Sequence, residues 1–174
     1  MLASREFQNI VDDFSTHVYN HALRMLGNCL DAEEAVFDVF LRVHQGLPHF
    51  RQEAQLSTWI WKITTNICLS RRAKKVLPVV SLENNQVMDT ESLPLEHATP
   101  ETLLIQQEER QILADLIARL PDGEASAITL FYLEGMDYNE IAMILEIPVG
   151  TVGTALHRGR ERLRTMVMKR KVMV

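Results

Sequence analysis

The fold of this 174-residue chain is decided by residues 137–160, whose sequence is DYNEIAMILEIPVGTVGTALHRGR. Asp137 and Glu140 have the spacing of a capping box, which predicts that a short helix begins at Tyr138. Residues 146–148 predict a turn, and a longer, arginine-rich helix follows. A short helix, a short turn and a basic second helix predict a helix-turn-helix, the motif that lays its second helix in the major groove of DNA. The alternative is an ordinary helical hairpin with a solvated, arginine-rich end.

Charge is distributed unevenly along the chain. Residues 149–174 carry seven Lys or Arg against one Glu, whereas residues 102–148 carry two against nine acidic residues. The net charge of −5 hides this separation. A basic tail behind an acidic middle segment favours an anion-binding element over the ordinary hairpin.

Composition and motifs exclude several classes of protein. Hydrophobic residues make up 47% and charged residues 24% of the chain, which is ordinary for a globular protein. The two cysteines, Cys29 and Cys68, are too few for a disulfide framework, so a reducing compartment is expected. No apolar run reaches the length of a signal peptide or a membrane span, so we expect a cytoplasmic protein without membrane insertion.

A metal site and an enzyme are the least favoured alternatives. His17 and His21 have the i, i+4 spacing that can bind zinc, but no third ligand lies near them in the sequence. We therefore expect no metal and no cofactor. The sequence has no nucleophile–base pair or phosphate-binding loop motif, so we expect no enzyme.

Helical periodicity dominates the chain, which predicts the all-α class. Residues 77–101 break it, with three prolines, five acidic residues and no basic residue, and predict a flexible acidic linker. The linker divides the chain into two small helical domains, residues 1–76 and 102–174, and the second contains the helix-turn-helix.

A helix from Asp31, as its N-cap, to about Gln45 is predicted in the first domain, with Glu34 at the capping-box position. Its two faces differ. One is apolar, and the other mixes acidic and apolar side chains: Glu34, Phe37, Asp38 and Leu41. This mixed face indicates either a protein-docking surface or a helix sandwiched between two others.

The next predicted helix begins at Ser57 or Thr58 as its cap and ends near Lys75. Its predicted buried stripe is Ile60, Ile63 and Ile67, and its opposite side presents Thr58, Lys62, Thr65 and Asn66, followed by Arg71 and Arg72. Together with Trp59 and Trp61, these side chains are suited to hold phosphates and stack bases. The alternative is that the tryptophans belong to the core and the cations form a solvated helix end.

Three segments, taken in order, resemble the extracytoplasmic-function group (group IV) of bacterial RNA polymerase sigma factors. The first is DAEEAV with VFLRV, within residues 31–43. The second is STWI with ITTN, within residues 57–66, followed by Arg71 and Arg72. The third is NEIA, IPVGTV and LHRGR, within residues 139–160.

The resemblance implies a transcription initiation factor that binds core RNA polymerase and directs it to promoter DNA, with an anti-sigma factor as a further partner. It assigns three sets of residues. Core polymerase would contact Asp31, Glu34, Phe37, Asp38 and Leu41. The minus-ten element would contact Thr58, Trp59, Lys62, Thr65, Asn66, Arg71 and Arg72. The minus-thirty-five element would contact Thr151, Thr154, His157, Arg158, Arg160 and Arg162.

The alternative function is a stand-alone helix-turn-helix regulator whose N-terminal half binds a ligand or forms a dimer. The chain also departs from the family pattern. After Val152 the family usually has a Lys and, two positions later, an Arg on the groove-facing side, whereas this chain has Gly153 and Ala155, and Glu146 replaces a turn glycine. We therefore expect weak binding to the upstream element.

Overall fold

The computed structural model describes residues 2–50, 55–75 and 100–172, and within these ranges the chain is all-α. Its helices are α1 (Leu2–Leu26), α2 (Cys29–Gly46), α3 (Leu56–Lys75), α4 (Pro100–Ala118), α5 (Asp122–Ile128), α6 (Tyr138–Leu145) and α7 (Val149–Val172). A 3-10 turn, Leu47–His49, follows α2, and a π-helical turn, Thr129–Leu133, follows α5. The predicted linker lies outside the described residues, except that Pro100 and Glu101 already belong to α4.

The first three helices pack on one another around a small apolar core. Its members come from all three helices and are almost inaccessible: Val18, Ala22 and Met25 from α1, Ala35, Val39 and Val43 from α2, and Ile60 and Cys68 from α3. Burial raises the pKa of the Cys68 thiol to about 12, so this thiol stays neutral at physiological pH.

The start of α2 differs from the predicted one. Asn28, not Asp31, is the N-cap, and its side-chain oxygen accepts a hydrogen bond from the Asp31 N–H at 2.8 Å. Asp31 instead lies in the first turn, where a carboxylate is stabilised by the positive end of the helix. The predicted cap of α3, Ser57 or Thr58, is also wrong, because both residues lie inside the helix, which begins at Leu56.

The helix-turn-helix is confirmed in α6 and α7. The Asp137 side chain accepts hydrogen bonds from the N–H groups of Asn139 and Glu140, and the Glu140 side chain accepts one from the Asp137 N–H. The turn places Glu146 in the left-handed region, with φ 56°. Ile141, Ile144, Val152 and Leu156 fill the core between the two helices, with Ala142, Leu145 and Ile147 packed against them.

The two halves of the chain also pack against each other. Helix α1 contacts α4, and α3 contacts α6. The hydroxyl of Thr129, on the π-helical turn, lies 3.9 Å from the sulfur of Met25 in α1. The apolar core is therefore continuous across the two halves.

None of the helices in the described residues combines the length and apolar character needed to cross a membrane.

Gly159 allows α5 and α7 to approach closely. A Cβ atom at this position would lie 2.8 Å from Cγ1 of Ile128, closer than two carbon atoms can pack. We expect Gly159→Val to lower the free energy of unfolding by about 1–3 kcal/mol through overpacking. Urea denaturation followed by circular dichroism measures the loss. Gly123→Val is the control, because a Cβ at Gly123 has nothing within 4 Å; equal losses in both variants would contradict the close approach.

Candidate functional site

The outward face of α2 is open to solvent. Phe37 is 71% exposed, Leu41 46% and Leu30 56%, and the three recur along one side of the helix. Glu34 is exposed beside them and Asp38 is half-buried. The sandwiched-helix interpretation is therefore wrong, and an apolar stripe of this exposure is typical of a docking surface. Leu30 was not among the predicted residues of this face. Its spacing of seven residues from Phe37 is the signal that could have revealed it, because residues seven apart share one side of a helix.

Arg71 of α3 binds the acidic edge of this α2 face. Its Nη1 donates to Glu34 at 2.8 Å and its Nη2 to Asp38 at 2.5 Å. Burial lowers the pKa of Arg71, but the hydrogen bonds that Arg71 donates to the two carboxylates, together with their charges, outweigh burial and raise the pKa overall. The family resemblance implies that Arg71 contacts the minus-ten element. In this structure its guanidinium is instead bound by α2, because carboxylates four residues apart on one helix fit the fork of an arginine.

Two residues that were predicted to lie on the exposed side of α3 are buried. Thr58 and Thr65 have almost no exposed area, and the Thr65 hydroxyl lies 3.4 Å from Nε2 of His21. The prediction of their exposure is wrong because α3 packs against both α1 and α2, so its buried arc is wider than one isoleucine stripe.

Only one of the two tryptophans of α3 belongs fully to the core, as the alternative to base stacking predicted. Trp61 is buried against His21, with ring centroids 5.2 Å apart, so for this residue the core interpretation is confirmed. Trp59 is half-buried and stacks obliquely on Phe50 at 5.0 Å. Lys62 is half-buried and Asn66 is exposed on the remaining open side of α3.

Two cations of α3 are held by the C-terminal half. Lys62 Nζ lies 2.6 Å from the Glu146 carboxylate, and its hydrogen bond and charge lower the pKa of Glu146. Arg72 donates to Asp122 at 2.6 Å and to the carbonyl oxygens of Leu120 at 2.5 Å and Met25 at 2.8 Å. No local sequence signal could reveal these contacts, because most of the partners lie 48 to 84 residues away.

A buried carboxylate completes the contact between the halves. The Glu134 side chain is 3% exposed and lies 3.7 Å from His21 Nδ1, 3.6 Å from Arg24 and 4.0 Å from His17 Nδ1. Glu134 is therefore an acidic neighbour of His17 and His21, and the sequence alone did not reveal this neighbour. Arg24 supplies the nearest permanent positive charge. Within the described residues, no group of three or more His, Cys, Asp or Glu side chains has a geometry that could hold a metal ion.

Helix α7 presents all six predicted upstream residues to solvent. Its core side carries Val152, Leu156 and Gly159. The six exposed residues that were predicted to contact the minus-thirty-five element are Thr151, Thr154, His157, Arg158, Arg160 and Arg162. Arg162 is at the margin of this set, because its Nε donates to the largely buried Glu124 at 3.2 Å.

The predicted groove-facing positions Gly153 and Ala155 are not both on that side. Ala155 is half-buried and packs against the core. Gly153 is half-buried on the opposite flank of α7, where a Cβ would make an ordinary 3.7 Å contact with Tyr138. Ala155 therefore offers less open surface than Thr151 or Arg158, because it lies next to buried Val152 and Leu156 on the helix.

Two family models match the chain: Sigma-70 region 2 matches residues 10–76, and Sigma-70 region 4 matches residues 110–163. The ECF RNA polymerase sigma factor SigW of Bacillus subtilis is 35% identical over 164 residues, which cover 91% of this chain and 87% of SigW. The chain belongs to the ECF RNA polymerase sigma factors. The ECF RNA polymerase sigma-E factor of Escherichia coli K12 is 31% identical over 144 residues, covering 79% of this chain and 74% of that protein.

Two solved structures have the same fold. The sigma factor RpoE of Bartonella quintana, in a co-crystal structure with the anti-sigma factor NepR, has a TM-score of 0.70 and 18% identity over 94% of this chain and 98% of that one. CnrH, in complex with the cytosolic domain of CnrY, has a TM-score of 0.69 and 18% identity over 95% of this chain and 90% of that one.

The family membership establishes what this ECF sigma factor does. It binds core RNA polymerase and directs it to promoter DNA, and its family is one of transcription initiation factors. The stand-alone regulator is not favoured, because the region 2 model covers the N-terminal half that this alternative left for a ligand or a dimer interface.

We expect that Gly153→Lys tightens the binding of holoenzyme to promoter duplex. The new side chain fits beside Tyr138 and adds one cation at the edge of the exposed α7 surface. One additional phosphate contact steepens the logarithmic salt dependence of binding by about 0.9. Filter binding over a range of salt concentrations measures the slope. Gly123→Lys adds the same charge on α5, and an equal change in both variants would place Gly153 away from DNA.

Proposed function

We propose that this sigma factor works through three surfaces, each formed by one helix. The α2 face binds core polymerase, the open side of α3 binds the single-stranded minus-ten element, and the exposed side of α7 binds the duplex minus-thirty-five element. The exposure of Leu30, Phe37 and Leu41 on α2 carries the proposal, since a sigma factor must offer a permanent apolar surface to its polymerase.

The α2 face suits a protein partner rather than DNA. Its apolar side chains stand beside Glu34 and Asp38, whose negative charges repel phosphates. Arg71 of α3 donates a hydrogen bond to each of these two carboxylates and so fixes their positions at the edge of the α2 face. Asp31 is half-buried in the first turn of α2, at the end of the same face.

The open side of α3 suits single-stranded DNA. Lys62 supplies a cation for phosphate, and Asn66 supplies an amide that can read a base edge. The half-buried Trp59, stacked on Phe50, offers an aromatic surface at the start of the same helix. Thr58 and Thr65 are left out of this surface because they are buried.

The exposed side of α7 suits duplex DNA. Thr151, Thr154, His157 and Arg158 lie in its first half, which a recognition helix inserts into the major groove. Arg160 and Arg162 follow toward the C-terminal end, where contacts fall mainly on phosphates. We assign these roles to a C-terminal domain of residues 102–174, and the α2 and α3 roles to an N-terminal domain of residues 1–76.

We further propose an anti-sigma factor as a partner. The sigma factor RpoE of Bartonella quintana, which has the same fold, was solved in complex with the anti-sigma factor NepR. The α2 face is the apolar surface on which a competitor of the polymerase gains most by binding. We place the protein in the bacterial cytoplasm, where core polymerase and the chromosome are.

The polymerase-binding role of α2 is tested with Phe37→Ala/Leu41→Ala. Truncating two exposed apolar side chains at an interface should weaken the affinity for core polymerase by at least about tenfold. Fluorescence anisotropy of labelled sigma factor measures it, and circular dichroism should show unchanged helicity. Asp38 is kept, because its substitution would also release Arg71. Val167→Ala/Met168→Ala removes exposed apolar area on α7 instead; unchanged affinity of the α2 variant would refute the assignment.

The minus-ten role of α3 is tested with Lys62→Ala/Asn66→Ala in reconstituted holoenzyme. We expect promoter melting to fall while polymerase affinity stays unchanged, because the two positions face away from α2 carboxylates. Permanganate footprinting measures melting. Asn9→Ala/Lys169→Ala removes the same two residue types at exposed positions on α1 and α7. Normal melting by the α3 variant would rule out these contacts.

A further inference from the structure

The C-terminal half of the chain binds two cations of α3, and one of them, Lys62, lies on the proposed minus-ten surface. Lys62 is bound by Glu146 of the helix-turn-helix turn at 2.6 Å. Arg72, ten residues further along α3, is bound by Asp122 and the Leu120 carbonyl at the start of α5. The C-terminal half thus places a carboxylate on Lys62, where the proposed function places DNA, and it also binds Arg72 of the same helix.

Glu146 makes its contact from an unfavourable backbone conformation. At φ 56° it is the sole non-glycine residue with positive φ in the described ranges. Glycine adopts this conformation at no steric cost, and resembling family members commonly have glycine at this turn. Unlike glycine, Glu146 has a carboxylate, and this carboxylate accepts a hydrogen bond from Lys62 of the other half.

The packed arrangement cannot engage both promoter elements at once. The minus-ten and minus-thirty-five elements lie about 25 base pairs apart, which is about 85 Å along duplex DNA at ~3.4 Å per base pair. Here α3 contacts α6, the helix that precedes the recognition helix. The two halves must therefore separate before the sigma factor can bridge a promoter.

We propose that the free sigma factor is held closed by an intramolecular latch, in which the Glu146 carboxylate occupies Lys62 in place of a DNA phosphate. The proposal rests on the assignment of Lys62 to the minus-ten surface. Arg72 with Asp122, and Glu134 with His21 and Arg24, hold the same two halves together. Core polymerase opens the latch by binding the open arrangement more tightly, which shifts the population toward it.

The closed state is tested by small-angle X-ray scattering of the full chain. A compact chain of 174 residues has a radius of gyration of about 16 Å, and separated halves give a larger one. Glu146→Lys places two cations together and should raise the radius of gyration, whereas Glu109→Lys, an exposed position on α4, should not. The swapped pair Lys62→Glu/Glu146→Lys should restore the wild-type value. An extended wild-type chain, or no difference between Glu146→Lys and its control, overturns the latch.

The masking of Lys62 is tested with a fluorescein-labelled oligothymidylate of about 15 nucleotides. Glu146→Gln removes the carboxylate without adding a cation and should bind this probe about threefold more tightly than Glu109→Gln, which changes the net charge equally. Equal affinity of the two variants overturns the masking. In holoenzyme the Glu146→Gln variant should melt promoters like the wild type, because polymerase has already separated the halves; faster melting overturns the opening step.

These experiments separate the latch from the proposed DNA contact. Scattering reports the closed arrangement without any DNA present. Promoter melting by Lys62→Ala/Asn66→Ala reports the DNA contact in a complex that is already open. A failure of the DNA contact therefore leaves the scattering result unchanged, and a failure of the latch leaves the melting result unchanged.

Discussion

Packing of α3 against both α1 and α2 limits everything that this helix can do. A helix with one buried stripe leaves more than half of its circumference for a ligand, but α3 buries Thr58, Trp61 and Thr65 in addition to Ile60 and Ile67. The open strip that remains is narrow, and Lys62 and Asn66 lie on it. Because α3 is fixed on two sides, side chains on this strip are presented on a rigid support, so the protein loses less conformational entropy when a ligand binds them.

The uneven distribution of charge has a structural use beyond anion binding. Acidic residues of the C-terminal half pair with cations of the N-terminal half, at Glu134 with Arg24 and at Asp122 with Arg72. Within the N-terminal half, Arg71 is held by α2 carboxylates. The arginines of α7, apart from Arg162, are not used in this way in the described structure. Charges that neutralise each other within the chain are thereby separated from charges that remain available for DNA.

Features with local signals could be predicted from the sequence, and features that depend on distant partners could not. The capping box at Asp137 and the turn at Glu146 follow from spacings within one helix or turn, whereas the spacing on α2 predicted a mixed face but left two interpretations of it open. The burial of Thr65 follows from His21, 44 residues earlier, and no periodicity within α3 reveals it. The N-cap of α2 was misplaced for a different reason: Asp31 and Asn28 both precede helical sequence, and the side chain that reaches the free N–H decides between them.

Departures from local rules concentrate where the two halves meet. Glu146 adopts a conformation better suited to glycine, and Glu134 is an acid buried with one oxygen lacking a hydrogen bond. Gly27, with φ 78°, brings the turn between α1 and α2 so close to α4 that a Cβ would lie 3.0 Å from Ala118. The features at Glu146 and Glu134 are unfavourable within their own half and have a partner in the other half, and Gly27 allows the two halves to approach closely. Since a chain keeps such departures where another requirement outweighs local stability, the contact between the halves is itself a property that this sequence specifies.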